Sequence, residues 1–192
     1  MQGVCDRFGQ IEPKILVGCD GYHYAGKAID RMDVLAALAQ KLPTVDTVLV
    51  IGYLSAQPDC SRLPNAMLFD QAVANATAIK QFRRMPFNAP LYILYSSGTT
   101  GTPKCIVHGI GGTLIQHIKE HRLHTNVKPG DRLFYFTTCG WMMWNWLVSG
   151  LASKAHILLY EGNPAYPGPD RLWRLAEGEK ISIFGTSAKY ID

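Results

Sequence analysis

Short apolar runs alternate with segments of helical periodicity along the whole chain. Runs of three to five apolar or β-branched residues, bounded by turn residues, predict buried strands. These strands are expected at residues 14–17, 47–51, 91–94, 105–107, 133–136, 156–160 and 181–184. Apolar residues three or four positions apart predict helices at residues 1–12, 31–42, 69–82, 113–124 and 170–177, and a last one from 185 onward. Repeated strand–helix units of this kind predict an α/β fold.

Turn-forming residues divide these elements. Residues 20–27, DGYHYAGK, predict a turn with short extended arms, and Asp30 is expected to cap the helix that follows. Residues 53–66 are rich in Pro, Asp, Ser and Asn and form the most loop-like stretch, so a possible internal boundary is expected there. Both ends of the chain fall inside predicted helices, which predicts an internal piece of a larger domain.

Composition narrows the class of protein. The chain has 192 residues, 47% hydrophobic and 18% charged, which suits one domain or at most two small ones. Its net charge of +4 is spread without a long block, which favours a small anionic ligand over nucleic acid. Because no apolar run reaches the roughly 20 residues of a membrane span and the N-terminus lacks an export pattern, we expect no membrane association and a cytoplasmic location.

The five cysteines are odd in number and never spaced as Cys-x-x-Cys. Neither a disulfide framework nor a zinc ribbon is therefore expected. Cys139, beside Gly140 and Trp141, has the chemistry of a nucleophile, but the sequence places no base near it. A small buried residue is the expectation for Cys139.

Residues 95–104, YSSGTTGTPK, form the stretch with the clearest chemistry. Residues 96–101 are only Ser, Thr and Gly, so backbone N–H groups and hydroxyls can face one small volume without bulk in the way. Gly98 and Gly101 permit positive φ, Pro103 stiffens the exit, and Lys104 adds a positive charge at the rim. The pattern predicts a grip for the phosphates of a nucleotide.

Two other phosphate-binding loops are excluded by spacing. A Walker A loop needs two glycines separated by four residues and followed directly by Lys and Ser or Thr, whereas Gly98, Gly101 and Lys104 are spaced by threes. A dinucleotide fingerprint needs Gly-x-Gly-x-x-Gly opening a helix, which this stretch lacks. The remaining alternative is an ordinary surface turn of small residues, against which the ten ordered positions argue.

YSSGTTGTPK resembles the phosphate-binding signature of the adenylate-forming acyl-CoA synthetases and related ligases. The resemblance continues downstream through GDRLFYFTTCGWMMWNWLVSGLAS. It implies that the chain is a partial AMP-binding domain over residues 1–192, part of the layered α/β N-terminal domain of these enzymes. It also implies which residues bind the β- and γ-phosphates of ATP. These residues are Ser96, Ser97, Gly98, Thr99, Thr100, Gly101 and Lys104.

The resemblance further implies a two-step ligation. The carboxylate of an acid attacks the α-phosphate of Mg-ATP to give acyl-AMP and pyrophosphate, and the thiol of CoA then displaces AMP. Acetoacetate is the acid implied by the downstream stretch, with acetate and propionate as alternatives. The resemblance implies ATP, magnesium, CoA and the acid as small-molecule partners, and no nucleic acid or membrane is expected. No catalytic residue is assigned beyond stabilisation of the phosphates by Lys104.

A cluster of large side chains predicts a second site. On one helix Trp141, Met142, Met143, Trp144 and Trp146 cannot all share a face, so some are expected to line a pocket. A buried core helix of large side chains is the alternative, and both hold if one face packs while the other closes a cavity. The resemblance implies that the first four of these residues wall a short, polar acyl group.

Other side chains are also candidates for functional sites. His117 and His121 lie one turn apart, a spacing that can hold a metal, but the His-Glu-x-x-His pattern is absent, so surface histidines and no metal are expected. Arg83 and Arg84 are expected at a solvated helix end. Residues 185–189 lack the second Gly of a nucleophile elbow and are expected to begin a helix. Lys154 stands where relatives favour a Gly that eases a left-handed helix end.

The resemblance also sets the expected extent of the chain. Full members of the family are several-fold longer, so the residues for adenine and ribose, the catalytic lysine and the mobile C-terminal domain are expected beyond Asp192. The isolated chain is accordingly expected to be inactive. A different class of protein stays open as well: a truncated, non-catalytic module that binds nucleotide weakly or mediates an interaction.

Overall fold

A computed structural model describes residues 1–96 and 101–192, which divide into two compact units. The first unit consists of Met1–Arg84 with Tyr95–Ile106, and the second of Met85–Leu94 with Val107–Asp192. The predicted α/β class is confirmed, since parallel strands alternate with helices in both units.

The helices and strands of the first unit run from the start of the chain to residue 74. They are α1 (Gln2–Phe8), β1 (Ile15–Cys19), β2 (Gly21–Tyr24), β3 (Lys27–Asp30), α2 (Met32–Lys41), β4 (Thr47–Ile51), β5 (Ala66–Leu68) and α3 (Phe69–Ala74). The predicted turn at 20–27 is the hairpin of β2 and β3. Asp30 caps α2 as expected, because its carboxylate accepts the backbone N–H of Met32 at 2.9 Å.

The core of the first unit lies between one sheet and one helix. Strands β1, β4 and β5 form a parallel sheet in that order, and Val48 and Val50 of the middle strand are completely buried. Leu35 and Leu38 of α2 pack against this face. Gly18 permits the close approach, because a Cβ at that position would lie 2.7 Å from Leu35 Cδ1.

The second unit repeats this arrangement further along the chain. Its elements are α4 (Ile110–Lys119), a π-helical turn (Glu120–His124), β8 (Arg132–Tyr135), α5 (Met142–Ser149), a 3₁₀ turn (Gly150–Ser153), β9 (His156–Leu158), α6 (Arg171–Gly178), β10 (Ile183–Gly185) and α7 (Ala188–Ile191). Strands β10, β8 and β9 form a second parallel sheet in that order. Leu133 at its centre and Leu147 of α5 are both buried, so the helix that carries the Trp/Met cluster is anchored on the sheet.

A two-stranded ribbon carries the small-residue loop. Its strands are β6 (Pro90–Tyr95) and β7 (Cys105–Gly109). The loop end of the ribbon belongs to the first unit and its other end to the second. At that other end Gly111 lies directly against Phe87, where a Cβ would come within 2.1 Å of the ring.

The helix predicted at residues 69–82 is wrong in length. α3 ends at Ala74, and Ile79 and Phe82 beyond it are 73% and 84% exposed. A short helix is stabilised mainly by burying an apolar face, and here no face is buried past Ala74. Arg83 and Arg84 therefore lie in an exposed non-helical stretch rather than at a helix end.

The loop at residues 53–66 lies inside the first unit, between two strands that pair with each other. The two units divide at residues 84/85, 94/95 and 106/107. In the part of the chain that the structure describes, no helix is long and apolar enough to cross a membrane.

Lys154 ends the 3₁₀ turn in the left-handed conformation, with φ 60° and ψ 29°. We expect Lys154→Gly to raise the free energy of unfolding by about 0.5–1 kcal/mol, because glycine adopts this conformation without a Cβ clash. Urea denaturation of the 192-residue chain measures the change. Lys119→Gly, inside the helical run, is the matched control and is expected to be destabilising. Equal destabilisation by both substitutions would contradict this account of Lys154.

Candidate functional site

Two hydrogen bonds close the mouth of the small-residue loop. The backbone N–H of Ser96 donates to the Lys104 carbonyl at 3.0 Å, and the backbone N–H of Lys104 donates to Ser96 Oγ at 2.9 Å. The two ends of the loop are thus held together by a serine side chain as well as by backbone.

Gln10, just beyond α1, braces the exit of this loop. Its side-chain amide donates to the carbonyls of Asp6 and Pro103, at 2.5 and 2.8 Å, and its Oε1 lies 3.6 Å from the Cys105 thiol that donates to it. Pro103 is buried, whereas Lys104 beside it is exposed. Sequence reasoning missed Gln10, because nothing in residues 1–12 marks a contact 93 positions away.

The predicted phosphate residues divide into two groups. Ser96, Gly101 and Lys104 are described by the structure, while the predictions for Ser97, Gly98, Thr99 and Thr100 lie outside the described residues. Gly101 has φ +146°, and no atom of the described residues lies within 4 Å of a Cβ built on it. Lys104 forms no ion pair with the carboxylates of residues 1–96 and 101–192. Its ammonium group is therefore available to an anion.

A cavity of about 550 Å³ lies in the second unit beside α5. Apolar side chains from α5 and from the sheet form much of its wall. They include Leu133, Phe134, Met142, Met143, Trp146 and Ile183. The volume and the apolar lining are those of a small-molecule pocket.

Polar side chains from α4 complete this cavity. His117, which is only 7% exposed, lies 2.8 Å through Nδ1 from Ser149 Oγ, and that hydroxyl donates in turn to the Asn145 carbonyl at 2.8 Å. Gln116 donates to Glu120 at 3.0 Å, and Lys119 pairs with the same carboxylate at 3.0 Å. The α4 side of an otherwise apolar cavity is therefore built from organised polar groups.

His121 packs against Trp146, which also lines this cavity. It is completely buried, its Nε2–H donates to the Trp146 carbonyl at 3.0 Å, and its ring meets the indole edge-on at 4.5 Å between centroids. Burial lowers the pKa of His121, against the smaller opposing effects of that hydrogen bond and of Glu120. Burial also lowers the pKa of His117, and the neighbouring His121 adds to the effect. Both rings are neutral near pH 7.

The expectation of surface histidines is therefore wrong for His117 and His121, although His124 is exposed. The physical reason is that α5 offers a hydroxyl and a carbonyl as partners, which removes the cost of burying imidazoles. A hydrogen bond across 25 or 32 positions leaves no local signal in the sequence.

A second cavity, of about 380 Å³, lies at the start of α5. Trp141 and Met143 line it together with Thr137 and Thr138. The predicted acyl-site residues are thus split: Met142 lines the larger cavity, Trp141 the smaller and Met143 both, whereas Trp144 lines neither of these two cavities among the described residues.

Cys139 is exposed, so its expectation as a small buried residue is wrong. The six residues 136–141 connect β8 to α5, and Cys139 lies on the exposed part of this connection.

Asp20 holds the end of the first sheet together. It is 3% exposed, and its carboxylate accepts the backbone N–H groups of Tyr53, Leu54 and Ser55 at 2.8, 2.9 and 2.8 Å. Its own carbonyl accepts the N–H of Arg31 at 2.7 Å. Sequence analysis included Asp20 only as a turn residue. The cluster of backbone donors facing one carboxylate is visible only in the fold.

The comparisons with known proteins identify the family of this chain. The family model described as AMP-binding enzyme matches residues 3–191. The chain belongs to the AMP-binding enzyme family.

Relatives within the AMP-binding enzyme family are similar over essentially the whole chain. The acetoacetyl-coenzyme A synthetase of Rhizobium meliloti (strain 1021) is 51% identical over 191 residues, which are 100% of this chain and 29% of that protein. A malonamoyl-CoA synthetase of Penicillium aethiopicum is 42% identical, over 98% of this chain and 28% of that protein. The structure of an acetoacetyl-CoA synthetase from Streptomyces lividans superposes with a TM-score of 0.92 at 44% identity, over 99% of this chain and 29% of that one. The chain spans less than a third of the length of these relatives.

Proposed function

We propose that this chain is the phosphate-binding part of an acyl-CoA synthetase that activates acetoacetate. The observation that carries the proposal is the loop of small residues closed by the Ser96–Lys104 hydrogen bonds, with the Lys104 ammonium forming no ion pair among the described residues. The 51% identity to an acetoacetyl-coenzyme A synthetase supports the choice of acid.

In this proposal the loop stabilises charge during the first of two steps. A carboxylate oxygen of acetoacetate attacks the α-phosphorus of ATP, the bond from that phosphorus to the bridging oxygen breaks, and pyrophosphate leaves. Residues 96–101 and Lys104 hold the β- and γ-phosphates, so negative charge that grows on pyrophosphate meets fixed donors and a cation. In the second step the CoA thiol attacks the acyl carbonyl, loses its proton, and AMP leaves.

Magnesium enters this proposal on the phosphates of ATP, where few protein ligands are needed. Within residues 1–96 and 101–192 no group of three or more His, Cys, Asp or Glu side chains is placed to hold a metal. The hydroxyl of Ser96 and the charge of Lys104 therefore fit the nucleotide's phosphates rather than a protein-bound ion. We assign no step to the ion.

The acyl group is proposed to lie against α5. Met142, Met143 and Trp146 give the larger cavity an apolar wall on one side, while α4 supplies polar groups on another. Trp141 lines the adjoining smaller cavity and is kept as an acyl-site residue. Trp144, predicted for the same role, lines neither, and we propose a packing role for it.

Malonamate is a second candidate acid, because a malonamoyl-CoA synthetase is 42% identical over 98% of the chain. Acetoacetate and malonamate both carry a carbonyl group on the third carbon of a short chain. A pocket that recognises this carbonyl accepts either acid, and the group attached beyond it separates them.

The proposal is tested with a chimera in which this chain replaces the matching segment of the Rhizobium meliloti protein. We expect the chimera to catalyse acetoacetate-dependent exchange of pyrophosphate into ATP, at a rate within about tenfold of the parent, since half of the replaced residues are identical. The assay follows labelled pyrophosphate entering ATP, with acetate, propionate and malonamate as comparison acids.

A stable chimera that binds ATP but gives no exchange with any of these acids would contradict the proposal and favour the non-catalytic module. The isolated 192-residue chain is the matched control. It spans 29% of that relative, and we expect it to give no exchange by itself.

A further inference from the structure

Several side-chain hydrogen-bond donors line the larger cavity. Gln116 already donates to Glu120, and Glu120 itself is an acceptor paired with Lys119. Among the described residues, the other lining side chains that can donate are His108, His117, Thr125, Tyr135 and Trp146. Of these five side chains His117 is the most buried. A hydrogen bond made in a dry site discriminates most strongly between ligands.

His117 reaches the cavity with one particular ring nitrogen. Nδ1 is bonded to Ser149, and Nε2 makes no hydrogen bond with the described residues. Among the described residues His121 Nδ1 is a buried atom without a hydrogen-bond partner, whereas His117 Nε2 is not one of these atoms. Because His117 lines the cavity, Nε2 is the atom that a ligand meets.

We propose that His117, positioned by Ser149, donates a hydrogen bond to the carbonyl on the third carbon of the acyl substrate and so selects β-carbonyl acids over plain fatty acids. This inference rests on the proposed acyl-CoA synthetase function. It assigns a specificity role to a side chain that sequence analysis placed on the surface.

The Ser149 hydroxyl makes the required tautomer accessible. In the structure it donates to the Asn145 carbonyl, which leaves its oxygen to accept from His117 Nδ1. When a ketone oxygen faces Nε2, the hydroxyl hydrogen turns to Nδ1 and the ring carries its proton on Nε2. Asn145 keeps the helical N–H of residue 149 as its donor. The change needs the hydroxyl rotation together with exchange of the ring proton through solvent, in which Nδ1 loses a proton and Nε2 gains one, and it converts the wall from an acceptor into a donor.

The Trp146 side of the cavity is fixed at the same time. His121 donates to the Trp146 carbonyl and packs edge-on against its indole, so the apolar wall opposite His117 does not depend on the ligand. On the α4 side the charge of Glu120 is compensated by Lys119 at 3.0 Å. In this proposal the uncharged β-carbonyl end of the acid faces His117.

The decisive experiment compares two amide replacements of His117 in the chimera. The Gln amide reaches the position of Nε2, whereas the shorter Asn amide reaches that of Nδ1 and keeps the Ser149 contact. We expect His117→Asn to lower kcat/KM for acetoacetate by about tenfold to a hundredfold, with butyrate changed by less than about threefold. His117→Gln should retain most of the preference for acetoacetate over butyrate. Butyrate differs from acetoacetate only by a methylene in place of the ketone.

Three further variants distinguish selection of the substrate by His117 from a purely structural role of the residue. Ser149→Ala should partly lower the ratio of kcat/KM for acetoacetate to kcat/KM for butyrate. In the double variant it should add little to the effect of His117→Asn, because both substitutions act through the His117 ring. His124→Asn, on the exposed side of the π-helical turn, should leave both substrates unchanged. A ratio that survives His117→Asn, or one that collapses instead in His108→Asn, would overturn the proposal.

A binding measurement separates this inference from the proposed function. Imidazole nitrogen shifts of the 192-residue chain, with His117 assigned by His117→Gln, are followed during titration with acetoacetate and with butyrate. A shift of His117 toward the Nε2-protonated form with acetoacetate alone supports the contact even if the chimera lacks exchange. Identical shifts with both acids, or none with either, overturn it even if the chimera is active.

Discussion

Replacing Asp20 by Ala is expected to lower the free energy of unfolding by about 3–5 kcal/mol. The carboxylate is 3% exposed and accepts three consecutive backbone N–H groups, from Tyr53 to Ser55. Removing it leaves these three N–H groups without their acceptor, and each such loss costs about 1–3 kcal/mol where water is kept out and less where water replaces the carboxylate. Urea denaturation of the chain measures the total. Amide hydrogen exchange at residues 53–55 locates it.

The pH dependence of the free energy of unfolding distinguishes the role of Asp20 as a charged hydrogen-bond acceptor from simple packing. Burial by itself raises the pKa of Asp20, but the hydrogen bonds from Leu54, Tyr53 and Ser55 outweigh it, and the folded-state pKa lies below the ordinary value. A lowered carboxyl pKa gives stability that is present above the unfolded-state value of about 3.9 and is lost as the pH falls through the folded-state value. The difference between the wild type and Asp20→Asn is therefore expected to be full at pH 7 and to shrink below about pH 4.

Asp59 is the matched control for Asp20. It lies in the loop that contains residues 53–55, accepts the backbone N–H of Ser61 at 2.9 Å, and is exposed. Asp59→Ala is expected to have a much smaller effect, because water replaces the lost acceptor. Equal effects of the two substitutions would refute the account given for Asp20.

Local pattern predicts the elements of this fold better than it predicts their contacts. The strand at Thr47–Ile51 was predicted to the residue, because a β-branched apolar run between turn residues has few alternatives. The helix from residue 69 was predicted eight residues too long, because its apolar residues have the right spacing but nothing buries them. Periodicity describes which face is apolar, and only tertiary structure shows whether that face is covered.

The candidate site divides in the same way. The small-residue loop is a continuous stretch, so its chemistry can be predicted from composition and order. His117 and Ser149 are 32 positions apart, and Gln10 and Pro103 are 93 apart. Such pairs are brought together by packing between elements and have no signature in a single sequence. Lys154 differs from these pairs, because its position alone is informative. A lysine where glycine is favoured indicates a left-handed backbone, and the structure has that conformation there.

Replacing Lys104 by Ala in the chimera is expected to lower the rate of acetoacetate-dependent exchange by about a hundredfold or more. The structure makes this a test of charge alone, because both hydrogen bonds of Lys104 to Ser96 use its backbone and remain in the variant. A cation that meets growing charge on departing pyrophosphate acts most strongly in the transition state, and a single electrostatic contact of that kind is worth about 10²–10³ in rate. The effect should therefore fall mainly on kcat.

Ser96→Ala is the complementary variant, because it loosens the position of Lys104 and keeps its charge. It removes the Oγ acceptor that holds the Lys104 backbone at 2.9 Å while the ammonium group remains. Added salt screens an exposed charge, so the gap between wild type and Lys104→Ala should narrow as ionic strength rises, whereas the gap for Ser96→Ala should not. Lys104→Arg should keep part of the rate, and Lys80→Ala, exposed elsewhere in the first unit, should keep all of it. If Lys104→Ala left both the exchange rate and the ATP affinity unchanged, the loop closed by Ser96 and Lys104 would not be the phosphate grip.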